Sequence, residues 1–119
     1  MTRPRTIICD IDGTLVEHGL PGDASKPNYK MKLLPGTIEK ILEWEKKGYN
    51  IILLTGRRES MRRVTEKQLS EVGITYDQLV MGVCGGSRVL INDRKQNSYY
   101  DTAFAICVDR DKGVKDIWV

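Results

Sequence analysis

The chain is 119 residues long, which fits one domain with a real core but is small for an enzyme with a separate cap. Hydrophobic residues make up 40% and charged residues 29%, ordinary for a soluble globular protein, and the net charge of +3 slightly favours an anionic substrate without establishing nucleic-acid binding. No apolar stretch nears the roughly 18 residues of a membrane span and no secretory signal is present, so no membrane association and a reducing cytoplasmic location are expected. The three cysteines, Cys9, Cys84 and Cys107, lack metal-ligand spacing, and Cys9 and Cys107 lie in apolar runs where burial is expected.

Met1 to Arg5 is a short basic lead-in, followed by the apolar run Thr6-Ile7-Ile8-Cys9 that ends abruptly in Asp10-Ile11-Asp12-Gly13-Thr14. Such a run suits a buried strand of a parallel sheet. Residues 16–35 have no sustained period and are rich in Gly, Pro, Asp, Asn and Lys, which predicts an irregular loop or small hairpin flap. His18, Lys26, Lys30 and Lys32 fall there and are expected to be solvated. A first helix opens at Pro35-Gly36-Thr37, with Thr37 as N-cap, and closes at Lys46-Lys47-Gly48. Its inner face is expected to carry Ile38, Ile41, Leu42 and Glu45, with Trp44 flanking it.

A second apolar strand, Asn50 to Leu54, ends at Thr55-Gly56-Arg57-Arg58. A second helix follows from about Glu59 to Val72, with Met61, Val64, Leu69 and Val72 on its buried side. A short segment from Tyr76 to Met81 leads through Gly82, Gly85 and Gly86 to an expected strand, Arg88 to Ile91, that ends at Asn92-Asp93. A last strand is expected at Ala103 to Val108. The polar connection before it is too short for the crossover of about a dozen residues that parallel neighbours need, so it is expected to pair antiparallel or as an edge hairpin.

Three apolar strands thus end in polar clusters: Asp10 with Asp12, Thr55, and Asn92 with Asp93. Parallel neighbours would bring all three to one sheet edge, where open α/β sheets bind their ligands. Asp10 and Asp12 are two residues apart and face the same side of extended backbone, so two like charges meet and call for a cation, a shared proton or water. Mg²⁺ takes one or two carboxylates plus waters and a substrate phosphate, which makes Asp10 and Asp93, with the Asp12 carbonyl and Asn92 beside them, the expected ligands. A hydroxyl such as Thr55 suits a non-bridging phosphate oxygen.

Asp10-Ile11-Asp12-Gly13-Thr14-Leu15 resembles the first motif of the haloacid dehalogenase (HAD) superfamily of phosphohydrolases. Leu53-Leu54-Thr55-Gly56-Arg57 resembles its second motif and Leu90-Ile91-Asn92-Asp93-Arg94 its fourth, with Asn92 where many members have a first aspartate. The resemblance implies an α/β, three-layer Rossmann-like fold with a mostly parallel sheet, a single HAD-like domain over residues 1–119, and residues 16–35 as a minimal cap. It also implies an Mg²⁺-dependent phosphomonoesterase in which Asp10 is the nucleophile, forming an aspartyl-phosphate. Asp12 is then the general acid and later the general base. Thr55 joins the catalytic set, while Thr14, Gly56, Arg57, Arg58 and Lys67 are the implied phosphate or substrate contacts.

The lysine that members usually carry between the second and fourth motifs is absent, since the chain reads Met81-Gly82-Val83; Arg57, Arg58 or Lys95 are the alternative cations. Arg88, at the start of its expected strand, should lie at the far end of the sheet. The stretch Thr55 to Thr65 is similar to the phosphatase half of polynucleotide kinase-phosphatases, where Arg57, Arg58 and Arg62 would meet a second anionic group. The stretch from Arg88 to Gly113 resembles short HAD-type proteins associated with surface sugars. An open site suits a nucleic-acid end or phosphoprotein, or a small substrate such as a sugar phosphate enclosed by a neighbouring subunit of a homo-oligomer. Two other readings stand beside the enzyme: a catalytically quiet HAD scaffold that binds a phosphorylated ligand, and a receiver-type phosphoacceptor domain. The latter would place its aspartate on a middle strand, unlike Asp10.

Overall fold

A computed structural model describes residues 3–20 and 22–119. Strand β1 is Thr6–Asp10, helix α1 Thr37–Lys46, strand β2 Asn50–Leu54, helix α2 Arg62–Glu71 and strand β3 Gln78–Val80, with a single 3₁₀ turn at Glu59–Met61 leading into α2. The three strands form a parallel sheet in the order β1-β2-β3. Its register sets Asp10 opposite Leu54 and Leu54 opposite Val80. All three strands therefore stop level with one another, and the residues that follow them share one edge. This is the α/β, Rossmann-like arrangement that the resemblance implied, with the parallel pairing that the apolar runs predicted.

The core is built from Cys9, Ile51 and Leu53 of the sheet, Ile41 and Trp44 of α1, and Leu69 of α2, all of them buried. Alternation along β2 accounts for its share: Ile51 and Leu53 point to one face and are buried, while Ile52 and Leu54 on the other are half-buried.

The inner stripe of α1 differs from the expected one. Thr37, Ile41 and Trp44 are buried, while Leu42 is 55% exposed and Glu45 is exposed. The cause is Thr37, whose hydroxyl donates to the Leu15 carbonyl at 2.6 Å and pins the first turn against the Asp-Gly loop. Thr37 is thus the first helical residue and not the cap. Gly36 takes that place at φ 87°, where a Cβ would fall 2.4 Å from the Lys115 Cα, so only glycine fits. On α2 the fully buried residues are Thr65, Gln68 and Leu69, and Met61, Val64 and Val72 are only half-buried.

In the loop between β1 and α1, Val16 bridges Leu33 antiparallel and the Glu17 amide donates to Lys32 at 2.8 Å, closing a short hairpin flap. The chain end returns to the body as well. Val114 is buried, and the amide of Asp111 donates to the Gly13 carbonyl at 2.8 Å.

The expected strands at 88–91 and 103–108 are not formed. Both segments lack ladder pairing, and Val89, Leu90 and Ile91 are 82%, 58% and 88% exposed. Cys107, expected to be buried, is exposed for the same reason. Residues 84–108 make a mostly exposed arm without ladder pairing, and the radius of gyration is 15.1 Å. A compact chain of this length would have about 13.5 Å.

Candidate active site

At the carboxyl edge of the sheet, β1 delivers Asp10 and the turn after it delivers Asp12. Gly13, at φ 90°, turns the chain so that its own amide donates to the Val16 carbonyl at 2.7 Å and the Leu15 amide to Ile11 at 2.9 Å. The compact loop leaves both carboxylates pointing out of the sheet end.

The two acids are held differently. Asp12 is gripped by a guanidinium fork: Arg57 Nη2 donates to Oδ1 at 2.9 Å and Arg57 Nε to Oδ2 at 3.1 Å. The Thr55 hydroxyl reaches the same Oδ2 at 3.4 Å. Arg57 is itself buried, and its remaining donor Nη1 is taken by Gln68 Oε1 at 2.6 Å and Thr65 Oγ1 at 3.2 Å. A bidentate pair of this kind fixes orientation as well as charge. Gln68 then donates through Nε2 to the Ala24 carbonyl at 2.8 Å, linking the flap to the same network.

Asp10 is more open. The Thr14 hydroxyl donates to its Oδ2 at 3.1 Å, and Arg88 Nη2 lies 3.7 Å from Oδ1. Its neighbour Cys9 is buried, and burial, helped by the Asp10 charge, pushes its thiol up to about 12. Cys9 is therefore an inert packing group.

Of the other expected contacts, Gly56 lies where a Cβ would meet the Val83 carbonyl at 3.2 Å, so it permits the loop after β3 to close on the site. Gly82 and Val83 complete that closure by donating to the carbonyls of Arg57 and Thr55 at 2.7 and 3.0 Å. Arg58 is exposed beside the 3₁₀ turn. Arg62 is committed elsewhere: it donates to the Leu79 carbonyl at 2.8 Å and pairs with Glu59 at 2.5 Å, which ties α2 to β3. Lys67 lies 3.9 Å from Glu71 one helical turn on and is exposed, as a solvated helix residue would be.

The fourth-motif cluster is not brought to this edge. Asp93 is exposed and pairs with Lys95 at 4.0 Å, and Asn92 Nδ2 donates to Thr102 at 2.8 Å. Among the described residues no three of His, Cys, Asp and Glu come together as a metal-holding group, so Asp10, Asp12 and Asp93 do not converge within one chain. The reason is the missing strand at 88–91. Arg88, expected at the far end of the sheet, instead reaches Asp10.

Sequence reasoning missed the support under Arg57. Thr65 and Gln68 are three residues apart on the inner face of α2, and a polar pair in an otherwise apolar stripe was the available signal. It also missed the tail, where the Arg110 side chain packs on Gly13, 3.4 Å from where a Cβ would fall, and Asp111 Oδ1 accepts from the His18 amide at 2.9 Å. No periodic pattern marks those residues. A surface cavity of about 460 Å³ is lined by Arg3, Arg5, Lys47 and Tyr49, near the opposite end of β1. The carboxylates thus lie outside it, on an open edge.

A parallel α/β sheet with paired acids after β1 and Thr-Gly-Arg after β2 is the HAD superfamily arrangement. Residues 4–115 match the model of the polynucleotide kinase PNKP phosphatase domain, and the chain belongs to that family. Among solved structures it is 32% identical, with a TM-score of 0.58, to a chain of the Pnkp1/Rnl/Hen1 complex, over 72% of this chain. It spans only 30% of that chain's length. Two further structures share the fold. The class C acid phosphatase of Bacillus anthracis with tungstate bound is 23% identical with a TM-score of 0.55, covering 67% of this chain and 41% of that one. A structural-genomics target from Vibrio cholerae is 21% identical with a TM-score of 0.53, covering 74% of this chain and 79% of that one. No curated protein sequence matches the chain. Among the described residues no helix is long and apolar enough to cross a membrane.

Proposed function

We propose that the chain is a phosphomonoesterase domain that works through an aspartyl-phosphate on Asp10. The observation that carries this reading is the unequal treatment of two acids two residues apart: Asp10 is open to a substrate, while Asp12 is locked beside it by Arg57. The Asp10 carboxylate attacks phosphorus as the ester P–O bond breaks. Asp12 gives its proton to the departing oxygen, and in the second step its carboxylate takes a proton from the water that cleaves the acyl phosphate. Oδ2 of Asp12 is used by both Arg57 and Thr55, whereas Oδ1 accepts only one arm of the fork. A carboxylate oxygen has about two acceptor positions, so Oδ1 keeps the free position through which a proton can be exchanged with the substrate. Thr14 orients Asp10. Arg88, at 3.7 Å from Asp10, supplies the positive charge that the missing lysine would otherwise bring.

Mg²⁺ is the proposed cofactor, and its chemistry when bound would be to neutralise charge between carboxylate and phosphate. The donors in one chain do not fit it fully. Asp10 is in place at the sheet edge, the Asp12 carboxylate is consumed by Arg57, and Asp93 is elsewhere. The proposed substrate is a phosphorylated nucleic-acid end, since the family model is that of a polynucleotide phosphatase domain and the site is open. A sugar phosphate is the competing substrate, and a cytoplasmic setting is proposed with either.

Hydrolysis of a generic aryl phosphate with Mg²⁺, with EDTA, and by Asp10→Asn tests the reaction. Metal-dependent release of phosphate that the variant abolishes supports it, followed by a panel of terminally phosphorylated oligonucleotides and sugar phosphates. Phosphorylated-ligand binding without turnover on any of these would replace the enzyme with a quiet phosphate-binding scaffold.

A further inference from the structure

Strand β1 is an edge: among the described residues its only ladder partner is β2, and Ile8 at its centre is 46% exposed. An edge leaves a row of N–H and C=O groups unpaired and invites another strand. The same chain carries an unpaired strand sequence, Val89-Leu90-Ile91, ending in Asn92-Asp93, with its apolar side chains in solvent.

The two cannot pair parallel within one chain. Val83 is fixed at Thr55, level with the residue after Asp10 and on the β3 side of β2. For Asp93 to finish beside the carboxylates, residue 88 would have to start level with Thr6. That point is about 16 Å down the strands and three strand spacings, about 14 Å, across them, so about 22 Å away on a straight line through the sheet. The five residues from Val83 to Arg88 span at most about 18 Å fully extended.

Arg88 stays beside Asp10, Phe104 lies with its ring 5.6 Å from the Arg5 guanidinium, and the Thr102 hydroxyl donates to the Asp93 carbonyl. Residues 88–93 thus descend from the carboxyl end of β1 towards its start, antiparallel to it, and leave Asp93 at the wrong end for chemistry. A twofold axis reverses that relation. Between two copies whose β1 strands run antiparallel, an arm antiparallel to its own β1 is parallel to the partner's.

We propose that the protein is a segment-exchanged dimer in which residues 88–93 of each copy close the β1 edge of the other and supply Asp93 in trans to the Asp10/Asp12 site. The exchange covers Val89, Leu90 and Ile91, fills the open edge and adds the oxygen donor that one chain lacks. Only the role of Asp93 rests on the phosphatase reading; the exchange itself does not.

Light scattering on the full chain tests it independently of activity. A mass of about 27 kDa, twice the 13.5 kDa of the chain, is expected, and a monomer at micromolar concentration overturns the proposal. Inserting about twelve Gly and Ser residues between Gly85 and Gly86 gives the arm enough length to fold back in cis, so that variant becomes a monomer. An unchanged dimer would show a different interface and overturn the exchange. If the insertion does not fold, Ile8→Cys with Leu90→Cys, in a Cys84→Ser, Cys107→Ser background, replaces it. Parallel pairing in trans sets those two positions side by side, so oxidation yields a covalent dimer on a denaturing gel. Monomer alone overturns the proposal.

Discussion

The body and the arm are written in the same alphabet and fold differently. Asn50 to Leu54 and Arg88 to Ile91 are both short apolar runs that end in a polar cluster, yet Leu53 is wholly buried and Leu90 is 58% exposed. The difference lies in the connection before each. The ten-residue α1 carries the chain from the carboxyl end of β1 back to the start of β2. Only Cys84 to Ser87 lie between the anchored Val83 and Arg88, too few to make the same return. Strand propensity becomes a strand only where the chain can reach a partner edge.

The largest expected effect lies in the body. Asp10→Asn should lower aryl phosphate turnover by at least about 10³-fold while leaving the circular dichroism spectrum intact; retained turnover would remove Asp10 as nucleophile. Arg57→Ala comes next. It strips the fork from Asp12 and leaves Thr65 and Gln68 facing an empty space, at a cost of about 3–5 kcal/mol in urea unfolding. Arg57→Lys should recover little of this, because an ammonium cannot serve Asp12 and Gln68 from one plane.

Gly36→Ala should cost about 2–3 kcal/mol, from a left-handed backbone and a collision with Lys115. A change under 1 kcal/mol in the thermal midpoint analysis would mean that the tail does not close on the start of α1. Co-refolding equal amounts of Asp10→Asn and Asp93→Asn sharpens the contrast with the arm. If sites are shared between copies, about one quarter of the wild-type turnover returns, because half the dimers are mixed and each regains one intact site. Recovery at the level of the separate variants would place Asp93 within its own chain or outside the site. The smallest effect belongs to Lys67→Ala. An exposed ion pair with Glu71 is worth within about 0.5 kcal/mol, and turnover should not change; a large loss would return Lys67 to the phosphate contacts.

Much of the site's geometry was legible in the chain. Two apolar runs with level ends put Asp10, Asp12 and Thr55 on one edge, and the hydrogen bond from Thr55 to Asp12 follows from that register. Arg57 was legible as a cation near the edge but not as the partner of Asp12. Its direction depends on Thr65 and Gln68, which approach it only when α2 packs. The inner face of α1 was misread by one position for a related reason. The periodicity of Ile38, Ile41 and Leu42 is real, but the bond from Thr37 to Leu15 sets the rotation of the helix.

The sequence by itself determined the class of fold, the position of β1 and β2, and the motif that ends each of them, because apolar runs and turn residues act locally. Tertiary structure decided which acid is locked and which is open, through a guanidinium buried between three elements. It also decided that Asp93 stays away from its own Asp10, since chain reach and strand direction are properties of the assembled sheet and not of any motif.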